Sequence, residues 1–487
     1  MIGKVERVNR AGPDCRLILT MILFMAMIPA SHGQPVGDFD AIKARGAVVN
    51  SVTCLADSKQ SYALYLPSQY SPDRRWPIIY AFDPFARGKV PVELYKEAAE
   101  KYGYIVVGSN NAKNGPGALE VKAAQAVWQD THRRFLIDKD RVYTTGLSGG
   151  ARFATSFALY CSTCSVAGVI AHGAGYPVKE SLPANDHFLY YVAVGDADFN
   201  LPEILKLRKK KEENGSSFKV KIYPGPHQWA PRDVVEDAIE WLELKAMQAG
   251  KKKADPSFIH PLLERMRAEA SQAEQRGDTM GQFYALRSLA LDFKGLEDVA
   301  EFESALAALK TSKLLKQTAQ DERREIEKQE SLTAAADGDI TQFGASPPEE
   351  QVALKQHIIA TFSDLRRQTK SNKSDRLVFV RAFNQLWVEG IEAGQEEFRN
   401  NRLVTAAAYF ELMADVAPDQ SWPMLLLAET RARAGNKKAA LKAVEEAVKR
   451  GLKSPQTLTQ DPELQSLSSD PVFQRIVQGL GGAAGDK

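Results

Sequence analysis

The chain has 487 residues, 44% of them hydrophobic and 25% charged, with a formal net charge of +2. That length exceeds what one hydrophobic core serves, so two or three globular domains of ordinary composition are expected. The near-balanced charge gives no electrostatic case for a nucleic-acid partner.

The N-terminus has the layout of a secretory signal. Lys4, Arg7, Arg10 and Arg16 precede an apolar run from Leu17 to Ile28, and the small residues Ala30, Ser31 and Gly33 follow. A basic start, a short apolar middle and a small-residue cleavage site predict removal of residues 1–33 and a mature chain beginning at Gln34. The run is short for a membrane span, and an uncleaved anchor is the alternative. An exported chain permits disulfides. Cys54, Cys161 and Cys164 would remain after cleavage. Cys161-Ser162-Thr163-Cys164 lacks the βαβ setting of a redox motif and has no second ligand pair for zinc, so it reads as structural. Either it forms one local bridge or one member pairs with Cys54. No metal and no cofactor are expected.

From there to about residue 248, strand-like and helix-like segments alternate. Strands are predicted over 47–52, 61–67, 78–82, 104–108, 142–145, 166–171, 188–194 and 218–223. Helices are predicted over 92–102, 118–135, 151–159, 202–213 (ended by Gly215) and 232–247. The run from Ile78 to Phe82 is apolar on both faces, as in the middle of a parallel sheet. This alternation predicts an α/β domain with a doubly wound, mostly parallel sheet over residues 34–249. Chemistry in such sheets gathers at the carboxyl ends of the strands. The cluster Lys209 to Lys211 reads as a solvated helix face.

Gly250 to Asp255 carries three consecutive lysines and reads as a linker. Beyond Pro256 the strand signals vanish and good helix formers dominate. Residues 250–345 are expected to be linker and helix, with Lys310 to Glu330 as one long exposed helix. A loop is expected over 336–350, where Gly338, Gly344, Pro347 and Pro348 fall. Residues 346–487 are expected to form a separate all-α domain. Gly394, Ala406, Phe410 and Pro418, followed by Ala428, Ala440 and Val444, recur with a period of about 34 residues. This resembles the tetratricopeptide repeat, in which small residues stand where paired helices touch. A plain helical bundle is the alternative. A protein partner is the expectation for such a tail.

The stretch with chemical content is Arg141-Val142-Tyr143-Thr144-Thr145-Gly146-Leu147-Ser148-Gly149-Gly150. It joins a strand to a helix through G-x-S-x-G, the setting of a nucleophile elbow. A nucleophile on so sharp a turn sits in strained backbone, and its neighbours must lack side chains for strand and helix to approach. Ser148 then needs a base within hydrogen-bond reach and an acid to orient that base. In this architecture the order is Ser, Asp or Glu, then His. His227 follows a strand, lies inside the α/β portion and comes after a strand-end carboxylate. Pro224, Gly225 and Pro226 form a rigid turn before it. The acid is Asp198 or Asp196. The oxyanion hole should use the Gly149 N–H and a second donor from the loop after Phe82. Pro84 has no N–H, which leaves Phe85 as first choice and Asp83 as second. Asp83 would place a carboxylate where negative charge develops, so pinning the loop is its other possible role.

Residues 47–248 resemble a secreted α/β-hydrolase of the polyhydroxybutyrate depolymerase and feruloyl esterase type, with dienelactone-hydrolase-like relatives. The elbow, Gly195-Asp196-Ala197-Asp198 and Pro226-His227-Gln228-Trp229 carry the resemblance. Gly195-x-x-Asp198 is the family spacing and favours Asp198 as the acid. The family's usual His-Gly after the third strand is replaced here by Asp83-Pro84. The resemblance implies hydrolysis of carboxylic esters through an acyl-enzyme. The competing expectations are a serine peptidase of the prolyl oligopeptidase type, and a non-catalytic scaffold carrying a protein-binding tail. The short segment from Gly173 to Asn185 suggests no lid, hence an open site and soluble or surface-accessible esters. Once the signal is cleaved, no membrane partner is expected.

Overall fold

The computed structural model describes residues 43–115, 117–177, 187–213, 218–371 and 374–482. The expected signal peptide, most of the segment expected to lack a lid, and Gly215 lie outside the described residues. Those residues fall into two units, one ending at Glu322 and one beginning at Arg323.

The first unit is built on an eight-stranded sheet: β1 (Val48–Thr53), β2 (Ser61–Tyr65), β3 (Trp76–Phe82), β4 (Ile105–Ser109), β5 (Ile137–Leu147), β6 (Gly168–His172), β7 (Leu189–Gly195) and β8 (Phe218–Tyr223). The strand order is β1-β2-β4-β3-β5-β6-β7-β8. The β1–β2 and β2–β4 pairs are antiparallel, and every pairing from β4 through β3 to β8 is parallel. This is the α/β-hydrolase fold. All seven residues of β3 are buried, as a central parallel strand requires.

Five helices connect and cover the sheet: α1 (Lys89–Tyr102), α2 (Gly117–Arg134), α3 (Gly149–Tyr160), α4 (Leu201–Glu213) and α5 (Arg232–Gln248). Val92, Tyr95 and Ala99 of α1 and Val235, Ala238, Ile239 and Leu242 of α5 pack into one cluster with Ile79, Tyr143 and Tyr191 of the sheet. Each such Val, Ile or Leu side chain contributes about 1.5–3 kcal/mol by leaving water. At the end of α4, Lys211 departs from the expected solvated face. Its side chain is fully buried, with the ammonium 4.5 Å from the centroid of the Tyr176 ring. A cation over a π face, with its methylene stem in the core, is how a lysine is accommodated there.

Three further helices, α6 (Pro256–Gln275), α7 (Thr279–Asp292) and α8 (Ala300–Thr311), share an apolar cluster with Leu244 and Met247 of α5. The helices after the lysine-rich turn therefore belong to the same packed unit as the sheet. Cys161 and Cys164 form the local bridge, with Cα atoms 5.3 Å apart. Cys54 is a free, buried thiol. Burial and the nearby Asp130 carboxylate push it up to about 12.

The division between the units falls within α9 (Lys313–Ala345). The second unit continues with α10 (Pro348–Thr369), α11 (Arg376–Arg399), α12 (Leu403–Val416), α13 (Trp422–Arg433), α14 (Lys437–Lys449), α15 (Pro455–Thr459), a 3₁₀ turn (Pro462–Leu467) and α16 (Pro471–Gly482). The loop expected over 336–350 is instead helical as far as Ala345. Ala336, Ile340 and Phe343 lie on one buried face, and that packing outweighs the propensity cost of two glycines. Gly344 has a positive reason to be there: the Tyr409 hydroxyl accepts its N–H at 3.1 Å, and a Cβ would overlap that ring. Ala406, Phe410, Ala428, Ala440 and Val444 are all buried, and Gly394 sits where the Phe410 ring would meet any Cβ. Among the described residues, no helix is long and apolar enough to cross a membrane.

Candidate active site

The elbow is built by contacts that only glycine allows. A Cβ on Gly146 would stand 2.2 Å from the Gly150 carbonyl oxygen, and one on Gly150 would stand 2.1 Å from that of Phe82. With both absent, α3 starts directly against β5 and β3. Ser148, between them, has φ 54° and ψ −122°. An L-residue held there is strained, and such strain persists only where the surrounding structure imposes it. The Ser148 N–H donates to the His172 carbonyl at 2.9 Å, fixing the residue at the end of β6. Gly149 opens α3, and a first-turn N–H has no intrahelical acceptor.

His172 is followed by Gly173, with φ +60°. A Cβ on Gly173 would lie 2.6 Å from Asp198 Oδ2 and 3.0 Å from His227 Nδ1. The bare glycine thus makes room for two of the expected site residues beside the strand end that holds the third. His227 Nδ1 lies 2.9 Å from Asp198 Oδ2 and 3.0 Å from Oδ1. The Asp198 side chain has no solvent exposure. Its Oδ1 also accepts the Asn200 N–H at 2.9 Å. Asp196 is placed differently: its Oδ1 accepts the Gly225 N–H at 3.0 Å and so fixes the turn before His227. The Phe199 ring stands 4.4 Å from the imidazole, centroid to centroid. Because the Asp198 carboxylate faces Nδ1, the proton is held there and Nε2 carries the lone pair. Among the described residues the Ser148 hydroxyl makes no hydrogen bond to His227.

Phe85 is the first choice by sequence for the second oxyanion donor. Its N–H donates to Asp83 Oδ1 at 2.9 Å. Its side chain is 57% exposed. The neighbouring amides are engaged by the same residue: Ala86 N–H donates to the Asp83 carbonyl at 2.9 Å and Arg87 N–H to Oδ1 at 3.4 Å. Asp83 also accepts two hydrogen bonds at 2.9 Å from the Arg87 guanidinium and one at 3.0 Å from Trp229 Nε1. Burial works to raise this carboxyl, but the hydrogen bonds from Arg87, Trp229 and Phe85 prevail and hold it below its usual range. Asp83 therefore pins the loop as a carboxylate, and Arg87 offsets its charge.

His172, at the end of β6, lies wholly in the core. The Ala230 N–H donates to its Nδ1 at 3.3 Å, so its proton is on Nε2, 2.8 Å from the Tyr95 hydroxyl. Tyr95 in turn donates to Thr145 Oγ1 at 2.8 Å, and Thr145 to the Ile170 carbonyl at 2.8 Å. Burial pushes this imidazole down to about 3. It is a neutral brace that ties the segment after His227 to the sheet, and its isolated position in the sequence gave no sign of this.

No protein-family model and no curated protein matches the chain. Solved structures do resemble it. The S-formylglutathione hydrolase of Staphylococcus aureus is 15% identical, with a TM-score of 0.33, over 40% of this chain and 96% of that one. A feruloyl esterase module from Clostridium thermocellum, complexed with sinapinate, is 16% identical with a TM-score of 0.32, over 42% and 93%. Esterase 2 of Thermogutta terrifontis, phosphonylated by sarin, is 13% identical with a TM-score of 0.32, over 41% and 94%. The fold itself is assigned on strand order, strand direction and the elbow.

Proposed function

We propose that the protein is an exported serine hydrolase that cleaves carboxylic esters through an acyl-enzyme. The observation that carries this reading is the strained Ser148 at the β5–α3 junction, hydrogen-bonded to the strand end whose next residue packs against the Asp198–His227 pair. In the reading, His227 Nε2 takes the Ser148 proton as Oγ attacks the ester carbonyl. The imidazolium formed is held by Asp198 through Nδ1–H, and the Gly149 N–H donates to the developing oxyanion. The imidazolium then returns its proton to the leaving alcohol. Water repeats the sequence on the acyl-enzyme, with His227 as base, and releases the acid.

Export through residues 1–33 is part of the proposal, supported by their basic, apolar and small-residue order. The Cys161–Cys164 bridge accords with an oxidising compartment. The helical second unit is proposed to hold a protein partner. Assay of p-nitrophenyl esters beside aminoacyl-p-nitroanilides tests the reaction class. The ester reading expects turnover of the former only. Preference for the anilides would replace it with the peptidase.

A further inference from the structure

A tetrahedral intermediate is best held by two or more donors, and removing one costs about 10²–10³ in rate. Gly149 supplies one. On the loop after β3, the amides of Phe85, Ala86 and Arg87 are engaged by Asp83, which leaves the Asp83 N–H as that loop's own candidate.

A different donor stands at the site. The Asn114 carboxamide occupies the place that a Cβ on Gly149 would take, with Oδ1 2.2 Å and Nδ2 2.5 Å from that position. By standard geometry the Gly149 nitrogen is itself about 2.5 Å from its own Cβ position. The two nitrogens are thus at most about 5 Å apart, and one oxygen at a hydrogen-bond distance of about 2.9 Å can lie between them. The carboxamide has no hydrogen bond to any other described residue, so its N–H groups are not committed to the protein.

Its placement is fixed by backbone. Asn114 N–H donates to the Pro84 carbonyl at 2.9 Å, and Lys113 bridges to Phe85 in antiparallel fashion. Upstream, Ser109 Oγ accepts the Ala112 N–H at 3.0 Å, and the Asn111 carboxamide accepts the Ser61 N–H at 2.9 Å. These bonds fix the backbone from which the exposed Asn114 side chain reaches Gly149.

We infer that the Asn114 side chain is the second oxyanion donor, acting with the Gly149 N–H on the carbonyl oxygen of the ester. The inference rests on the serine-hydrolase reading. It also explains why Gly149 is glycine: any side chain there would displace the carboxamide.

The test compares wild type, Asn114→Ala and Asn114→Asp for kcat and KM on a p-nitrophenyl ester. Thermal melting serves as the folding control, and end-point fluorophosphonate labelling is followed at Ser148. The donor role predicts that N114A lowers kcat about 100-fold with KM changed less than about threefold. N114D, nearly isosteric but lacking the donor and carrying negative charge, falls below N114A. Both variants still label at Ser148 on long exposure and melt with the wild type. If N114D retains wild-type kcat, the side chain only fills space, and the inference fails. It fails equally if N114A stays within about threefold of wild type while wild type turns over ester. Absence of both turnover and adduct in the wild type overturns the hydrolase reading instead, and this one with it.

Discussion

The Asp198 carboxylate meets His227 Nδ1 with both oxygens, at 2.9 and 3.0 Å, from a position closed to solvent, whereas Asp196 gives an oxygen to the Gly225 amide. Two acids separated by one residue thus do separable work: one faces the imidazole and the other shapes the turn that delivers it. Asp198→Asn is expected to lower kcat by about 10⁴-fold, because an amide there favours the wrong tautomer. Asp196→Ala removes the acceptor of the Gly225 N–H, about 1 kcal/mol for that bond, and should cost about fivefold. Steady-state kinetics of the two variants decides the matter. Equal losses would show that the assignment of the acid is mistaken.

Gly173 is expected to resist even the smallest replacement. Alanine at φ +60° costs about 1–2 kcal/mol in backbone energy. Its Cβ would also lie 2.6 Å from Asp198 Oδ2. Displacing the pair by about 1 Å is enough to lose about 10² in rate. Gly173→Ala should therefore lose activity far beyond its loss of stability. Chemical denaturation set beside kcat/KM measures both.

His172 makes a pH prediction with a definite sign. Burial holds the folded imidazole down to about 3, below the ordinary value of about 6.5 for an unfolded chain. Between those limits the unfolded state binds a proton that the native state does not, so stability rises with pH. The contribution is fully present above about pH 6.5. It is lost as pH falls toward 3, with a slope near 1.4 kcal/mol per pH unit (about 2.3RT) in the middle of the window. Urea unfolding at several pH values should show a steeper acid loss for wild type than for His172→Gln, which keeps a donor toward Tyr95 but cannot charge. Parallel curves would contradict the brace.

The Cys161–Cys164 bridge closes a very short loop. On the chain-entropy model, losing it costs about 2 kcal/mol, less than bridges spanning longer segments. The double variant Cys161→Ser, Cys164→Ser should fold, with its denaturation midpoint lowered accordingly and its kcat unchanged. A failure to fold would mean that the bridge does more than staple the end of α3.

The sheet and the elbow were legible because they are written locally. Buried parallel strands leave runs such as Ile78 to Phe82, and the elbow leaves glycines at 146, 149 and 150. Less legible was whatever depends on a side chain reaching across the fold. Pro84 could be struck out as a donor from its chemistry. That the Phe85 amide is taken by Asp83 depends on a carboxylate folding back over its own loop, which spacing does not encode. Asn114 is distant in sequence from Gly149, and only the packing of the β4 loop against the β3 loop brings them together. The start of β5 at Ile137 was hidden by the polar run Asp138 to Arg141, and pairing with Trp76 makes it strand. The helix through Gly338 was hidden by propensity, which the buried face of Ile340 and Phe343 overrides.

The most direct measurement is active-site labelling of the folded wild-type protein with a fluorophosphonate, located by peptide mass spectrometry and timed. The account predicts a single adduct on Ser148, absent in Ser148→Ala and slowed at least about 100-fold in His227→Ala, since the base is what activates the hydroxyl. A folded protein that takes no label at Ser148, or that labels as fast without the imidazole as with it, would contradict the account at its centre.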